Sequence, residues 1–184
     1  GGDDEAGRVR VEQALALYRD CGARFGVAAA ENALGDVRRK LGQLDEAAEA
    51  YQRAHDALRQ LGSTDRMVPL LNLGLMRLRS GGPDAARAPL TEAAELAVAH
   101  GRRALVGMTR IALLPLHAAA ADAIAFRDDL AEGSEALQQS GVVDADIAQV
   151  ARMAAMAADS RGWAHLAQLA RDLANRQGPV RDDA

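Results

Sequence analysis

Glycine closes amphipathic runs along this chain at a nearly constant interval. Gly22, Gly62, Gly101 and Gly141 are 40, 39 and 40 residues apart, and Gly178 follows 37 residues later. Each stands where an apolar stripe of helical period ends, a position that favours a left-handed residue. The run from Leu44 to Leu61 shows the pattern. Leu44, Ala47, Ala48, Tyr51, Ala54, Leu58 and Leu61 form the stripe, and Asp45, Glu49, Arg53, Asp56 and Gln60 take the other side. Glu49 precedes Arg53 by one helical turn, the favourable order for that pair. Asp45 and Glu46 lie near the helix start and Arg59 near its end, as the macrodipole prefers.

The pattern repeats. "ENALGDVRRKLGQLDEAAEAYQRAHDALRQLG" aligns with "LLNLGLMRLRSGGPDAARAPLTEAAELAVAHG". Leu34 matches Leu73, Gly35 matches Gly74, Arg38 matches Arg77, Ala47 matches Ala86, Tyr51 matches Leu90 and Ala54 matches Ala93, all at an offset of 39. One shared offset across residues of different size marks an internal repeat. Each copy reads as two helices, and Pro83 opens the second helix of the later copy, a usual place for proline.

Leu34, Gly35, Gly42, Ala47, Tyr51 and Ala54, and again Leu73, Gly74, Gly81, Ala86, Leu90 and Ala93, resemble the tetratricopeptide repeat. That resemblance implies an all-α fold, a right-handed superhelical solenoid of antiparallel helix pairs with about seven to nine helices. Gly35 and Ala47 are expected to face one another where the two helices cross. The family period is about 34 residues, so the longer period here implies longer helices or turns. Lengthened copies of this kind resemble those in bacterial regulators, notably Ser/Thr kinases and ATPase-type transcription factors. The motif's customary first large residue is Glu31 here, and its customary Tyr is Arg38 and Arg77. The expected organisation is a single repeat domain over 1–184. It comprises a lone second helix at 5–21, with Val11, Ala14 and Tyr18 on its apolar side, and repeats at 27–62 and 65–101. Degenerate repeats follow at 103–141 and 144–178, then a polar, fraying tail at 179–184. Because residues 5–21 lack a first helix, the array is expected to continue N-terminally in a longer parent chain.

The third copy departs from the others. Carrying the frame forward by 40 puts Leu114 where Gly35 and Gly74 sit, Phe126 where Ala47 and Ala86 sit, and Gly133 at the final Ala position. Two small residues have become large, which predicts a wider helix separation in this copy. Pro115 is expected to kink the first helix or end it early. Drift with a compensated core, a pocket opened by the wider gap and a shifted frame would each account for the change.

Composition narrows the chemistry. Ala, Leu and Val supply the apolar content while aromatics are only 3%, which agrees with a helical chain. A net charge of −4 argues against a nucleic-acid footprint, and no stretch approaches the roughly 20 apolar residues of a membrane span. Arg38, Arg39 and Lys40 read as a helix end. Cys21, the sole cysteine, excludes an intrachain disulfide and reads as a small core residue. His55, His100, His117 and His165 lack ligand spacing, and no phosphate loop or hydrolase motif is present. His117 reads as a hydrogen-bonded, half-buried histidine, Trp163 as a core residue or a partner anchor, and Met153 and Met156 as core or groove lining. No cofactor or metal is implied.

In the resembled family the first helices line a concave groove that holds peptides. Transferred by position, the groove comprises Asn32, Asp36 and Arg39 from one copy, Leu71, Asn72, Leu75 and Arg79 from the next, and Met108, Ile111 and Pro115 from the third. Asparagine can both donate to and accept from a peptide backbone. Leu71 and Leu75 fall outside the intra-repeat core yet are apolar, so they form an exposed strip that marks a partner site, unless a neighbouring helix covers them. Arg39 suits a carboxylate or phosphate. The expected function is a non-catalytic protein-interaction module, cytoplasmic, in a larger bacterial signalling protein, with a protein or peptide as partner. A small-effector sensor domain is the alternative, and an enzyme fragment a third reading. Self-association is compatible with the first, because uncovered array ends can pair with each other.

Overall fold

The computed structural model describes residues 2–178, and the expected polar tail at 179–184 lies outside them. The described residues form an all-α chain of eight α-helices and one 3-10 turn, with no strand. The helices are α1 (Gly2–Asp20), α2 (Arg24–Lys40), α3 (Leu44–Gln60), α4 (Met67–Ala99), α5 (Arg103–Ala119), α6 (Ala123–Ser140), α7 (Ala145–Ser160) and α8 (Ala164–Gln177), with the 3-10 turn at Thr64–Arg66. Helix α4 is interrupted at Gly82, whose φ of 78° and ψ of −172° are not helical. It is therefore two arms, 67–81 and 83–99, and Pro83 is the first residue of the second. By packing, the chain separates into two units, Gly1–Leu96 and Ala97–Ala184.

Backbones turn at an interval of about half a repeat. Positive φ occurs at Gly22, Gly42, Gly62, Gly82, Gly101, Ala121, Gly141 and Gly162. Most of these turns close with the same pair of bonds. At Gly42, for example, the Gly42 N–H donates to Arg39 O and the Gln43 N–H to Arg38 O, so two carbonyls left over at the helix end are satisfied. Gly178 is the exception to the sequence pattern. Its φ of 160° is extended rather than left-handed.

In the first unit α2 packs against α1 on one side and α3 on the other. Leu15, Ala30, Leu34 and Ala50 form a buried cluster, with Val11 and Val27 against it. Glu31 stands on this buried side with only 2% of its side chain exposed. Its Oε1 accepts from Arg19 of α1 at 2.7 Å and its Oε2 from Arg53 of α3 at 3.0 Å. One carboxylate thereby ties three helices together, and its two guanidiniums supply the hydrogen bonds that burial otherwise removes.

The glycines expected at the helix crossing receive a large side chain there. A Cβ on Gly35 would stand 2.5 Å from the Tyr51 ring, and one on Gly74 would meet the Leu90 side chain. Each glycine is a hole for the large residue of the second helix. The physical reason is volume: a bare backbone accepts a whole side chain, whereas two small residues would leave a gap.

In the second unit α5 packs on α6 and α7, and α7 on α8. Leu114, Phe126 and Leu130 are buried together in its core, so the enlarged residues fill the space they occupy and open no pocket. The close approach survives at a new level. A Cβ on Gly107 would lie 3.0 Å from Leu137 N and 3.1 Å from Gly133 O, backbone against backbone. Gly107 is seven residues before Leu114, two helical turns away, so the hairpin is not uniformly wider. Helix α5 also runs through Pro115 to Ala119 without ending early; proline removes one backbone bond, and packing on α6 and α7 holds the rest. Phe126 meets Trp163, at the start of α8, edge to face with centroids 5.8 Å apart.

Ala121 is the non-glycine in the series of left-handed turns, with φ 57°. Ala121→Gly should therefore stabilise the protein by about 0.5 kcal/mol, the steric relief of ~1 kcal/mol being partly offset by a freer unfolded chain. Thermal denaturation would read it as a rise of about 1–2 °C. In the same assay Glu31→Ala should cost about 2 kcal/mol, toward the low side for a buried pair because both arginines are well exposed, and Glu31→Met less.

Candidate functional site

Helix α2 carries Asn32, Asp36 and Arg39 at spacings of four and three, and all three are partly exposed. The Asn32 Oδ1 is buried and has no hydrogen-bond partner among the described residues. Asp36 accepts from the Tyr51 hydroxyl at 2.8 Å, and Arg39 lies 4.0 Å from the same carboxylate oxygen. Burial pushes the Tyr51 hydroxyl well above its ordinary range, helped by the Asp36 charge and hydrogen bond and opposed by Arg39. Tyr51 is thus a neutral donor that fixes Asp36, and Asp36 in turn faces Arg39.

The expected apolar groove strip is not exposed. Leu71 is 1% exposed and Leu75 3%, both part of the core. Leu and Met positions surround them on the first arm of α4 (Leu70, Leu73, Met76 and Leu78 are buried too), so this arm is apolar nearly all round and its burial follows. Asn72 and Arg79 remain partly exposed. In α5, Ile111 is fully buried and Pro115 buried, while Met108 is partly buried against the core. The cause is that α5 is flanked by both α6 and α7. Of the residues assigned to the groove, the structure keeps accessible Asn32, Asp36, Arg39, Asn72 and Arg79, with Met108 at the margin.

Other residues sit where sequence reasoning could not put them. His117 Nε2 is 2.8 Å from Asp129 Oδ2 across the α5–α6 hairpin, and Arg110 binds both Asp129 Oδ1 and, at 2.7 Å, Glu132. Nothing in a sequence spacing of 12 or 19 announces these pairs; they depend on how two helices register. The cluster borders an open cleft of about 450 Å³ floored by Val98, Val106 and Ala136. A second cleft of about 500 Å³ lies among Leu137, Val142, Val143, Leu173 and Arg176. Arg38 and Arg77, in place of the customary tyrosine, donate to Glu46 O and to Gln52 Oε1. Glu31 did leave a signal, a charge on the apolar stripe of α2.

Cys21 is exposed, not a core residue; it falls in the α1–α2 turn, after the last helical position. Met156 is 71% exposed and Met153 partly buried. Trp163 is partly buried against the core. Among the described residues no group of three or more His, Cys, Asp or Glu could hold a metal, and no helix is long and apolar enough to cross a membrane.

Paired helices joined by left-handed turns, with a glycine hole in the first helix for a large residue of the second, define a helical-repeat protein. Residues 26–99 match the tetratricopeptide repeat family. No curated protein matches the chain in sequence. Solved structures share the fold, among them the crystal structure of BtubC (BKLC) from P. vanneervenii. It aligns with a TM-score of 0.67 and 17% identity over 95% of this chain and 73% of that one. Tetratricopeptide repeats are typically non-catalytic modules that bind proteins or peptides.

Two outcomes test this placement. Leu71→Glu and Leu75→Glu should each unfold the protein, since a carboxylate buried without a partner costs several kcal/mol; loss of the helical circular dichroism signal would show it. Tyr51 bears on pH. Its folded pKa is raised, so the stability it contributes is complete below the unfolded value of about 10 and is lost as pH rises above it. Tyr51→Phe should cost about 1 kcal/mol at neutral pH and flatten that alkaline loss in urea titrations.

Proposed function

We propose that this protein is a non-catalytic interaction module that holds a peptide, a helix or a neighbouring domain along the face carrying Asn32, Asp36, Arg39, Asn72 and Arg79. The proposed setting is the regulatory part of a larger bacterial signalling protein, a Ser/Thr kinase or ATPase-type regulator, in the cytoplasm. The observation that carries the reading is the buried, unpartnered Oδ1 of Asn32. A buried acceptor without a donor is costly, and rotation of the partly exposed Asn32 side chain would turn its amide to an arriving backbone N–H. Asn72, one residue beyond the position equivalent to Asn32 (Leu71 at the shared offset of 39), offers a second, partly exposed amide on the next helix pair. Burial of Leu71 and Leu75 makes this surface polar, so recognition rests on hydrogen bonds and on the Arg39 and Arg79 charges.

Peptides selected from a displayed random library against the whole chain provide the probe. Calorimetry on the selected sequences should show Asn32→Ala and Asn72→Ala each weakening binding by roughly tenfold, about 1.4 kcal/mol. Equal affinity in both variants, with folding intact, would place the binding site elsewhere.

A further inference from the structure

In the unit Gly1–Leu96, α2 and the first arm of α4 change character along their length in the same order. On α2, Phe25, Ala29, Asn32, Asp36 and Arg39 follow at spacings of four, three, four and three, one stripe down the helix. Phe25 is 60% exposed, and Asn32, Asp36 and Arg39 are partly exposed. On the first arm of α4, Val68, Asn72 and Arg79 stay partly exposed around the buried Leu75. Both stripes start apolar, pass an amide and end on a guanidinium. At the repeat offset of 39, Asn72 and Arg79 stand one residue beyond the levels of Asn32 and Arg39. Exposure at the apolar end does not depend on what precedes α1. Thr64 and Arg103 follow Phe25 at intervals of 39, each with helices before it, and both are exposed as well.

Charge is sorted by helix in the same unit. Helix α2 carries four cations and two carboxylates, and the first arm of α4 two cations and no carboxylate. The second helices are the reverse: α3 has two arginines against four carboxylates, and residues 83–96 one arginine against three. Of the two α2 carboxylates, Glu31 is buried between Arg19 of α1 and Arg53 of α3, and Asp36 accepts from the Tyr51 hydroxyl. Arg38, Arg39 and Lys40 stand in the last turn of α2, where they outweigh the partial negative charge of the helix end. A chain of net charge −4 thus presents a positive field along its first helices.

We propose that the partner on this face is an acidic peptide extended along α2 and the first arm of α4. Its carboxylates lie at Arg39 and Arg79, and an apolar side chain lies against Phe25 and Val68. The inference rests on the reading of this face as a partner site, and adds the chemistry and the alignment of what it takes. The apolar and cationic ends are about 21 Å apart along α2 and about 16 Å along the arm, a span of about five or six extended residues. Phe25 and Val68 supply apolar area at one end of an otherwise polar face, and the cations at the other end repel a basic segment. The amides of Asn32 and Asn72 fall between, opposite the backbone of the peptide.

Labelled synthetic peptides in a glycine and serine background test the proposal by fluorescence anisotropy on the whole chain. One carries a leucine and, five residues on, two aspartates; a second has lysines in place of the aspartates; a third has the aspartates next to the leucine. The first should bind at least tenfold more tightly than the second and severalfold more tightly than the third at about 50 mM salt, and weaken severalfold by about 300 mM. Phe25→Ser should weaken it at least threefold, and Arg39→Glu with Arg79→Glu should abolish the preference for aspartate over lysine. Circular dichroism keeps folding separate. No binding of the first peptide at about 1 mM, equal affinity for all three, or a preference that survives the double variant would each overturn the inference. The reading of the face fails separately, if library-selected peptides are indifferent to Asn32→Ala and Asn72→Ala. Selected peptides that need both asparagines yet carry no excess of acidic residues would overturn this inference alone.

Discussion

Paired helices in this protein come so near that, in three of the hairpins, one backbone has no room for a Cβ. In α2 that point is Gly35, filled by Tyr51; in the first arm of α4 it is Gly74, filled by Leu90. Much else depends on the contact. Seating the Tyr51 ring against Gly35 brings its hydroxyl to Asp36, which orders the polar face of α2. A side chain at Gly35 would displace the ring and the hydrogen bond together. The α5–α6 hairpin obeys the same constraint by other means. Its crossing position holds Leu114, so the tight contact moves two turns along, to Gly107 and Gly133, and Leu114 and Phe126 become core filling. Phe126 then reaches Trp163, which links this hairpin to the next.

Charges serve between helices more than on their surfaces. Glu31 takes two arginines and Asp129 an arginine and a histidine from other helices, and both carboxylates are largely out of water, at 2% and 13% exposure. Such an arrangement contributes little if replaced whole by apolar groups but is costly to break in part. It therefore specifies which helices meet more than it adds net stability. The exposed i,i+3 and i,i+4 pairs, such as Arg59 with Asp56, are weak by comparison.

The interaction surface proposed on α2 and the first arm of α4 is accordingly polar. The family position that predicts an apolar strip, Leu71 and Leu75, has been drawn into the core, while Asn32, Asn72, Arg39 and Arg79 stay partly exposed. A surface of that kind selects by hydrogen-bond geometry and charge, with less apolar area to supply affinity.

How much of this could be read from the sequence follows the range of the forces involved. Helix periodicity, glycine at the turns, proline at the start of an arm and the 39-residue offset are local, because each depends on a few neighbouring residues and on backbone sterics. They determined the all-α class and the repeat pairing, and they located the left-handed turns at Gly22, Gly62, Gly101 and Gly141. Ala121 was not legible, because an alanine states no left-handed preference and is carried there by the hairpin around it. The tertiary structure alone decided which face of each helix is covered. Leu71 and Ile111 look like groove residues by position and are buried, since exposure depends on what packs alongside, and sequence spacing holds no record of that. It also decided that Gly35 receives the Tyr51 ring, because a contact between helices depends on register and volume, which are settled only when both are in place.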